Sequence, residues 1–504
     1  MHLAIVFLCG VFPWINPFFI GPAPNVISWL TTVSCAAVLI VSYKWMPGKL
    51  AQRNLTTTLV SAWLFAALVS SVMGLLQYFG VANVVNGWVS SAALGEAYAN
   101  LRQRNHFATL TNIGLAAVLW CVAQRHTSVQ SKWLPIGALV AASFLALANA
   151  ASTSRTGLAQ LAMLTPFVWA WSHRYSPDIR QSTRRVVIVA VFTYALGALL
   201  LPWMIGSDPS STGILSRLSQ GDSASVCASR ITLWSNVFQL IDQKPWTGWG
   251  WGELDYAHFI TLYPGARFCD ILDNAHNLPL HLAVELGVPI SIAFCALCVG
   301  WVLRAKPWRE TNATRQLAWG VLAVIGLHSL LEYPLWYGPF QLAVVLALWM
   351  LQTTPEVGAH QVSKRPVAPV LNSLIATALI AFCAFAAWDY WRISQLYTAP
   401  KQRHSSYRED TLAKVRNSGL FQNHVQFAEL TTTALTQDNA AHVRQLALAL
   451  LHFSPEPRVI EAVIESAVML GKDDEALYYL QRYKAAFPDA HAAWAATSAR
   501  YKAP

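Results

Sequence analysis

Residues 59–80 read LVSAWLFAALVSSVMGLLQYFG, twenty-two positions without an acidic or basic side chain. Wound as an α-helix, a run of that length covers the roughly 30 Å of hydrocarbon in a bilayer. Working outward, apolar runs recur near 3–20, 25–42, 107–124, 134–150, 157–172, 186–205, 280–303, 317–334, 338–352 and 370–389. The pattern predicts an all-α polytopic membrane protein with about eleven transmembrane helices. Composition agrees, because 55% of the 504 residues are apolar and only 12% are charged, against about 25% charged in an ordinary soluble domain. The first run contains Pro13 and Pro17, so it either kinks or partly re-enters, and with no small-residue cleavage site it reads as a retained helix and not as a signal peptide.

Loop charge sets the orientation. Alternate loops carry Lys44, Lys49 and Arg53; Arg125 and Lys132; Arg174, Arg180, Arg184 and Arg185; Arg304, Lys306, Arg309 and Arg315; and Lys364 and Arg365. The positive-inside rule places these in the cytoplasm. The opposite loops hold only Arg102, Arg104, Arg155, Arg217, Arg230, Lys244 and Arg267 before the last helix. The net charge of +10 is then mostly an inner-leaflet bias, and no basic-aromatic pattern points to nucleic acid.

The runs divide the chain into N-terminal membrane helices (1–205), a large external polar loop (206–279), C-terminal membrane helices (280–390) and a polar helical tail (391–504). Within the tail Phe453 and Phe487 stand 34 residues apart, each closely followed by Pro, with Gly471, Ala476 and Pro488 at tetratricopeptide-like positions. Two or three degenerate helical hairpins fit, either capping the membrane body or presenting a groove to a protein.

Of eight cysteines, Cys9, Cys35, Cys121, Cys295, Cys298 and Cys383 lie in or beside apolar helices, where a thiol is usually a small hydrophobe. Cys295 and Cys298 have metal-like spacing without further ligands. Cys227 and Cys269 share the external loop and are either a disulfide or two free thiols.

Asp273-Asn274-Ala275-His276-Asn277 ends that loop at a helix entrance. An imidazole titrates near ~6.5, so most of it is free base at neutral pH and can accept a hydroxyl proton. Asn274 or Asn277 can cap the following helix. His281 is five residues further on, a spacing unlike a zinc-protease helix, and no metal is expected. Arg155 in Ser-Thr-Ser-Arg at 152–155 stands at a bundle edge, where a guanidinium either pairs with an anion or snorkels to headgroups. Arg230 opens a short amphipathic segment. Two arginines and a histidine on one membrane face suit a phosphorylated lipid, because the guanidinium fork donates two hydrogen bonds to one phosphate. His328 and Glu332, one turn apart, read as an imidazole–carboxylate pair, functional or self-satisfying. Trp246-Thr-Gly-Trp-Gly-Trp-Gly252 is a glycine-spaced aromatic run that either anchors at the interface or stacks on a sugar.

In order, Ser-x-Ser-Arg at 152–155, Arg-x-x-Leu-Trp at 230–234, Gly-Trp-Gly-Trp-Gly at 248–252, Asp-Asn-Ala-His-Asn at 273–277 and His-Ser-Leu-Leu-Glu-Tyr-Pro-Leu at 328–335 resemble the O-antigen ligase superfamily. Arg102-Gln-Arg-Asn105-His106-Phe-Ala108 and the helical tail make the chain most similar to its protein O-oligosaccharyltransferases, the pilin glycosylation ligases. The resemblance implies an enzyme of the bacterial inner membrane, with its active site facing the periplasm. Such an enzyme moves a glycan from undecaprenyl diphosphate to Ser or Thr hydroxyls of a periplasmic protein such as pilin, without metal, nucleotide or other cofactor. By motif, His276 would be catalytic and Arg155 and Arg230 would hold the diphosphate, with Asn105, His106, His328 and Glu332 in supporting roles. An O-antigen ligase acting on lipid A core, a glycan polymerase and a lipid-linked sugar transporter are the alternatives. The last would be expected to show internal repeats and broken helices at mid-membrane.

Overall fold

The computed structural model describes residues 2–18, 22–44, 49–85, 87–124, 134–208, 213–219, 227–355 and 369–501. The loop cations Arg125, Lys132, Lys364 and Arg365 lie outside them. The described residues are helical, with no strand among them. Their contacts fall into two units, one of residues 1–19, 24–221 and 299–385, the other of 20–23, 222–298 and 386–504.

The first unit contains α1 (His2–Ile15), α2 (Pro24–Lys44), α3 (Lys49–Tyr78), α4 (Arg104–Ala123), α5 (Leu134–Ala151), α6 (Arg155–Ser172), α7 (Pro177–Met204) and the short α8 (Gly213–Ser219). The α4 helix is its centre, packing against α3, α5, α6 and α7. Its residues from His106 to Trp120 are all buried, as a helix apolar on every side must be. Small side chains such as Ala66, Ala67, Ala108, Ala116, Ala142 and Ala148 fill the contacts, which brings backbones close where lipid supplies no hydrophobic drive between helices.

The second unit begins with α9 (Arg230–Gln243), α10 (Leu254–Ile260) and α11 (Leu278–Leu286). The run expected as one helix over 280–303 is broken: α11 stops at Gly287, φ +91°, and α12 (Val288–Ala305) restarts beyond it. A left-handed residue cannot continue a right-handed helix. The first unit then resumes with α13 (Ala313–Ser329), α14 (Gly338–Thr353) and most of α15 (Pro369–Ser394), and α13 packs on α4 and α14.

The tail adds α16 (Thr411–Val415), α17 (Gln422–Thr432), α18 (Ala440–Leu450), α19 (Pro457–Met469), α20 (Asp473–Ala486) and α21 (Pro488–Tyr501). From α17 onward each helix packs on the next. Asp389, fully buried near the end of α15, accepts hydrogen bonds from Ser418 Oγ and from the amides of Gly419 and Leu420, all at 2.9 Å. Phe259 of α10 sits in the tail core with Val443, Leu450, Ile460, Val463 and Tyr483. Arg482 Nε donates to the Ile260 carbonyl at 2.8 Å, and His452 Nδ1 meets Glu253 Oε2 at 2.6 Å. Loop and tail, separate pieces in the sequence, therefore share one core.

Among the described residues seven helices are long and apolar enough to cross a bilayer: 25–42, 52–78, 104–123, 134–151, 177–204, 288–309 and 373–394. Two shorter apolar helices, His2–Ile15 and Gly338–Thr353, accompany them. The chain is a multi-pass membrane protein.

Candidate active site

In the second unit, α9 starts where Ser229 Oγ accepts the amide of Thr232 at 3.1 Å, which makes Arg230 the first helical residue. One turn on, Trp234 Nε1 donates to the Ala275 carbonyl at 3.0 Å, fixing the backbone beside His276. Asn274 Oδ1 accepts the His276 amide at 2.9 Å, while Asn277 Oδ1 caps α11 by accepting the Leu280 amide at 3.0 Å. The two asparagines thus divide the roles the sequence left open between them. His276 itself is partly buried and sits at φ +51°, a left-handed conformation uncommon outside glycine and typical of turns that aim a side chain. Asp273 is near enough for the charges of the two residues to interact.

Cys227 and Cys269 form a disulfide with Cα atoms 5.2 Å apart. The crosslink ties the residues just before Arg230 to the segment leading into His276. Between them, Trp249 N and Gly250 N donate to the Val284 and Glu285 carbonyls, both at 2.9 Å, and Val288 N donates to Pro245 O at 2.8 Å. The glycine-spaced run is thereby stitched to the end of α11. A Cβ on Gly248 would lie 2.3 Å from the Glu285 carbonyl, and one on Gly287 2.3 Å from the Trp246 carbonyl, so only glycine fits on either side. Trp249 is absorbed in this packing, its indole donating to Leu240 O at 2.9 Å. Trp246 and Trp251 remain exposed, at 78% and 62%. His281 Nε2 lies 3.4 Å from Glu285 Oε2.

The first unit holds the other predicted residues. Ser154 Oγ accepts the Gly157 amide at 2.9 Å, making Arg155 the first residue of α6, just as Ser229 does for Arg230. Ser154 Oγ also donates to Asn105 Oδ1 at 2.6 Å, and Asn105 Nδ2 donates to Glu332 Oε1 at 3.1 Å. Gln103 Nε2 reaches Glu332 Oε2 at 3.4 Å. Glu332 thus accepts from two side chains of the motif before α4. The α13 helix ends at Ser329, and the Glu332 amide still donates to the His328 carbonyl at 2.8 Å. His328 Nδ1 meets Thr109 Oγ1 at 2.8 Å, and Gln160 Nε2 donates to the same hydroxyl at 2.9 Å. His106 is 1% exposed and packs on Tyr337 and Phe340, with ring centroids 4.1 and 5.0 Å away.

Thr153 has φ +52°, rare for a β-branched residue. Arg104 NH1 donates to its hydroxyl at 3.3 Å, Arg217 NH1 donates to its carbonyl at 3.1 Å, and Arg104 also pairs with Glu96. Sequence reading overlooked Gln103, Thr109 and Gln160, and named Arg217 only as one of the few external cations. Gln103 was the one with a signal, since it lies inside the Arg102–Ala108 motif. Among the described residues no three His, Cys, Asp or Glu side chains gather closely enough to hold a metal.

Three family models match in chain order: a protein glycosylation ligase over residues 97–120, an O-antigen ligase over 138–295, and the C-terminal part of a virulence factor membrane-bound polymerase over 316–502. The general O-oligosaccharyltransferase of Acinetobacter baylyi is 26% identical over 360 residues, covering 69% of this chain and 59% of that protein. The ComP-specific O-oligosaccharyltransferase of the same organism is 25% identical over 257 residues, covering 51% of this chain and 44% of that one. The chain thus spans less than two thirds of the length of either relative. Both Ser-Arg helix starts, the His276 turn and the motif before α4 fall inside the matched segments, so the chain carries an O-antigen ligase segment and a protein glycosylation ligase segment and is similar to two O-oligosaccharyltransferases.

Proposed function

We propose that this protein transfers an oligosaccharide from undecaprenyl diphosphate to Ser or Thr hydroxyls of a periplasmic protein such as pilin. On this reading it crosses the inner membrane eleven times, its external loop and tail lie in the periplasm, and the tail is a tetratricopeptide-like domain that meets the acceptor. The chain divides as the sequence suggests: membrane helices to residue 205, the catalytic loop to 279, membrane helices to 390, then the tail.

His276 takes the acceptor hydroxyl proton while that oxygen attacks the anomeric carbon. The bond from that carbon to the diphosphate oxygen breaks, and the diphosphate leaves with the electron pair. Arg155 and Arg230 receive the growing negative charge. A diphosphate is already a good leaving group, so positioning and charge stabilisation supply most of the catalysis. Each arginine opens a serine-capped helix, where the helix dipole repels a cation and its unpaired amides attract an anion. Asn274 and Asn277 hold the His276 turn, Asn105 and Glu332 support the start of α6, and His106 and His328 are further supporting residues.

The observation that carries this reading is the His276 turn, a histidine in left-handed backbone fixed by Asn274 and by Trp234 from the helix that Arg230 begins. The test is intact mass of an exported pilin in a host that supplies an undecaprenyl-linked glycan and lacks its own ligase. Wild type adds a glycan-sized mass and His276→Ala adds none. A glycosylated pilin from His276→Ala refutes the base assignment. Lengthened lipid-linked glycan, or glycan moved to lipid A, in place of modified pilin refutes the protein acceptor.

A further inference from the structure

The first unit contains a polar cavity of about 240 Å³, walled by Asn25, Arg102, Gln103, His106, Tyr333 and Tyr337 among others. The volume falls below the roughly 300–1,000 Å³ of a drug-sized site. It suits one pyranose ring and excludes a whole oligosaccharide or a prenyl chain. A larger space of about 540 Å³ between α6, α7 and α8 is lined mainly by aliphatic side chains, with Thr165, Pro166 and Tyr194 among them. Lipid chains fill such a groove without discrimination.

The chemistry of the smaller cavity is selective. Gln103 Oε1 is buried without a hydrogen-bond partner, although its amide nitrogen reaches Glu332. Neither ring nitrogen of His106 makes a hydrogen bond of good geometry, and the Leu101 backbone is near one of them without reaching it. Buried polar atoms of this kind call for a partner. A sugar hydroxyl donates to the glutamine oxygen and to an imidazole nitrogen. Arg102 donates to hydroxyl or acetamido oxygens. Tyr333 and Tyr337, with ring centroids 6.0 Å apart at 28°, offer apolar surface to the C–H face of a sugar. A phosphate fits poorly, because among the described residues Arg102 is the one formally charged side chain lining the cavity and the Glu332 carboxylate stands behind Gln103.

The wall is also held rigid. Ala99 at φ +50° and Arg102 at φ +55° flank one turn. Fully buried Gln77 clamps that turn by accepting the amides of Tyr98 and Ala99 at 3.0 and 2.7 Å and donating to Ala99 O at 3.1 Å. Asn105 lies between Gln103 and His106 in sequence and bonds Ser154, which caps α6 at Arg155.

We infer that this cavity is a sugar subsite that holds one pyranose unit of the lipid-linked donor glycan. The inference rests on the donor reading above. It is tested with the full chain in detergent by measuring equilibrium binding of two probes, bare undecaprenyl diphosphate and undecaprenyl diphosphate carrying a trisaccharide. Wild type is expected to bind the trisaccharide lipid about tenfold more tightly, the effect of one or two net hydrogen bonds. Asn25→Trp, which fills the cavity from its exposed rim, and Tyr333→Ala are each expected to remove that preference. Both should keep bare-lipid affinity within about twofold, which also shows that they fold. A wild type without preference, or variants that retain it, overturns the subsite. A wild type that binds neither lipid overturns the donor reading and the subsite with it.

Discussion

Replacing Gly248 by alanine tests the seam that supports the His276 turn. The new Cβ would stand 2.3 Å from both the carbonyl carbon and oxygen of Glu285 and 2.6 Å from the Leu286 nitrogen. These are backbone atoms of α11, so no side-chain rotation relieves the overlap, and the two segments must separate by roughly an ångström to reach ordinary van der Waals contact. That separation breaks the two 2.9 Å hydrogen bonds from Trp249 and Gly250, each contributing about 0.5–1.5 kcal/mol. Alanine at φ +67° adds roughly 1–2 kcal/mol of left-handed strain. The sum is about 2–5 kcal/mol. Gly252 is the internal control, since it has φ +78° and nothing within 4 Å of the place its methyl group would take, leaving only the ~1–2 kcal/mol of strain. In thermal unfolding of the detergent-solubilised chain, at about 2–4 °C per kcal/mol, Gly248→Ala should lower Tm by roughly 4–20 °C and Gly252→Ala by roughly 2–8 °C. Pilin glycosylation should fall much further in Gly248→Ala. Equal Tm values for the two variants, with activity intact in both, would show that the seam does not support the site.

Other consequences follow from the second unit. Burial raises Asp255 from its ordinary 3.8 to about 7. The folded state therefore holds that proton more tightly, and stability present below about pH 4 is lost as pH rises to about 7. Asp255→Asn should accordingly stabilise the protein at pH 8 by on the order of 1–3 kcal/mol relative to pH 4.5, and melts at the two pH values that give equal differences between variant and wild type would contradict it. Replacing Cys227 and Cys269 together by serine opens a loop with a sequence separation of 42. The expected loss is about 2–4 kcal/mol, read as a lower melting temperature that matches wild type treated with reductant, and an unchanged melt counts against it.

Much of this protein is legible in one pass along the chain because hydropathy and capping are local. Apolar runs mark membrane helices wherever they occur, and a serine before an arginine begins a helix at 154 and again at 229. Partner choice is not local. Glu332 meets Asn105 and Gln103, 227 and 229 positions away, contacts that no local pattern announces. Gly287 interrupts an apolar run that hydropathy alone reads as continuous, and its meaning appears only where the Trp246 carbonyl crosses it. The loop and the tail look like separate pieces in composition, yet Phe259 enters the tail core. The sequence by itself determined the helices, the membrane setting and the kind of residues available for chemistry, since each depends on neighbours within a few turns. Tertiary structure decided which polar groups meet and which glycines are irreplaceable, since those depend on segments brought close only by folding.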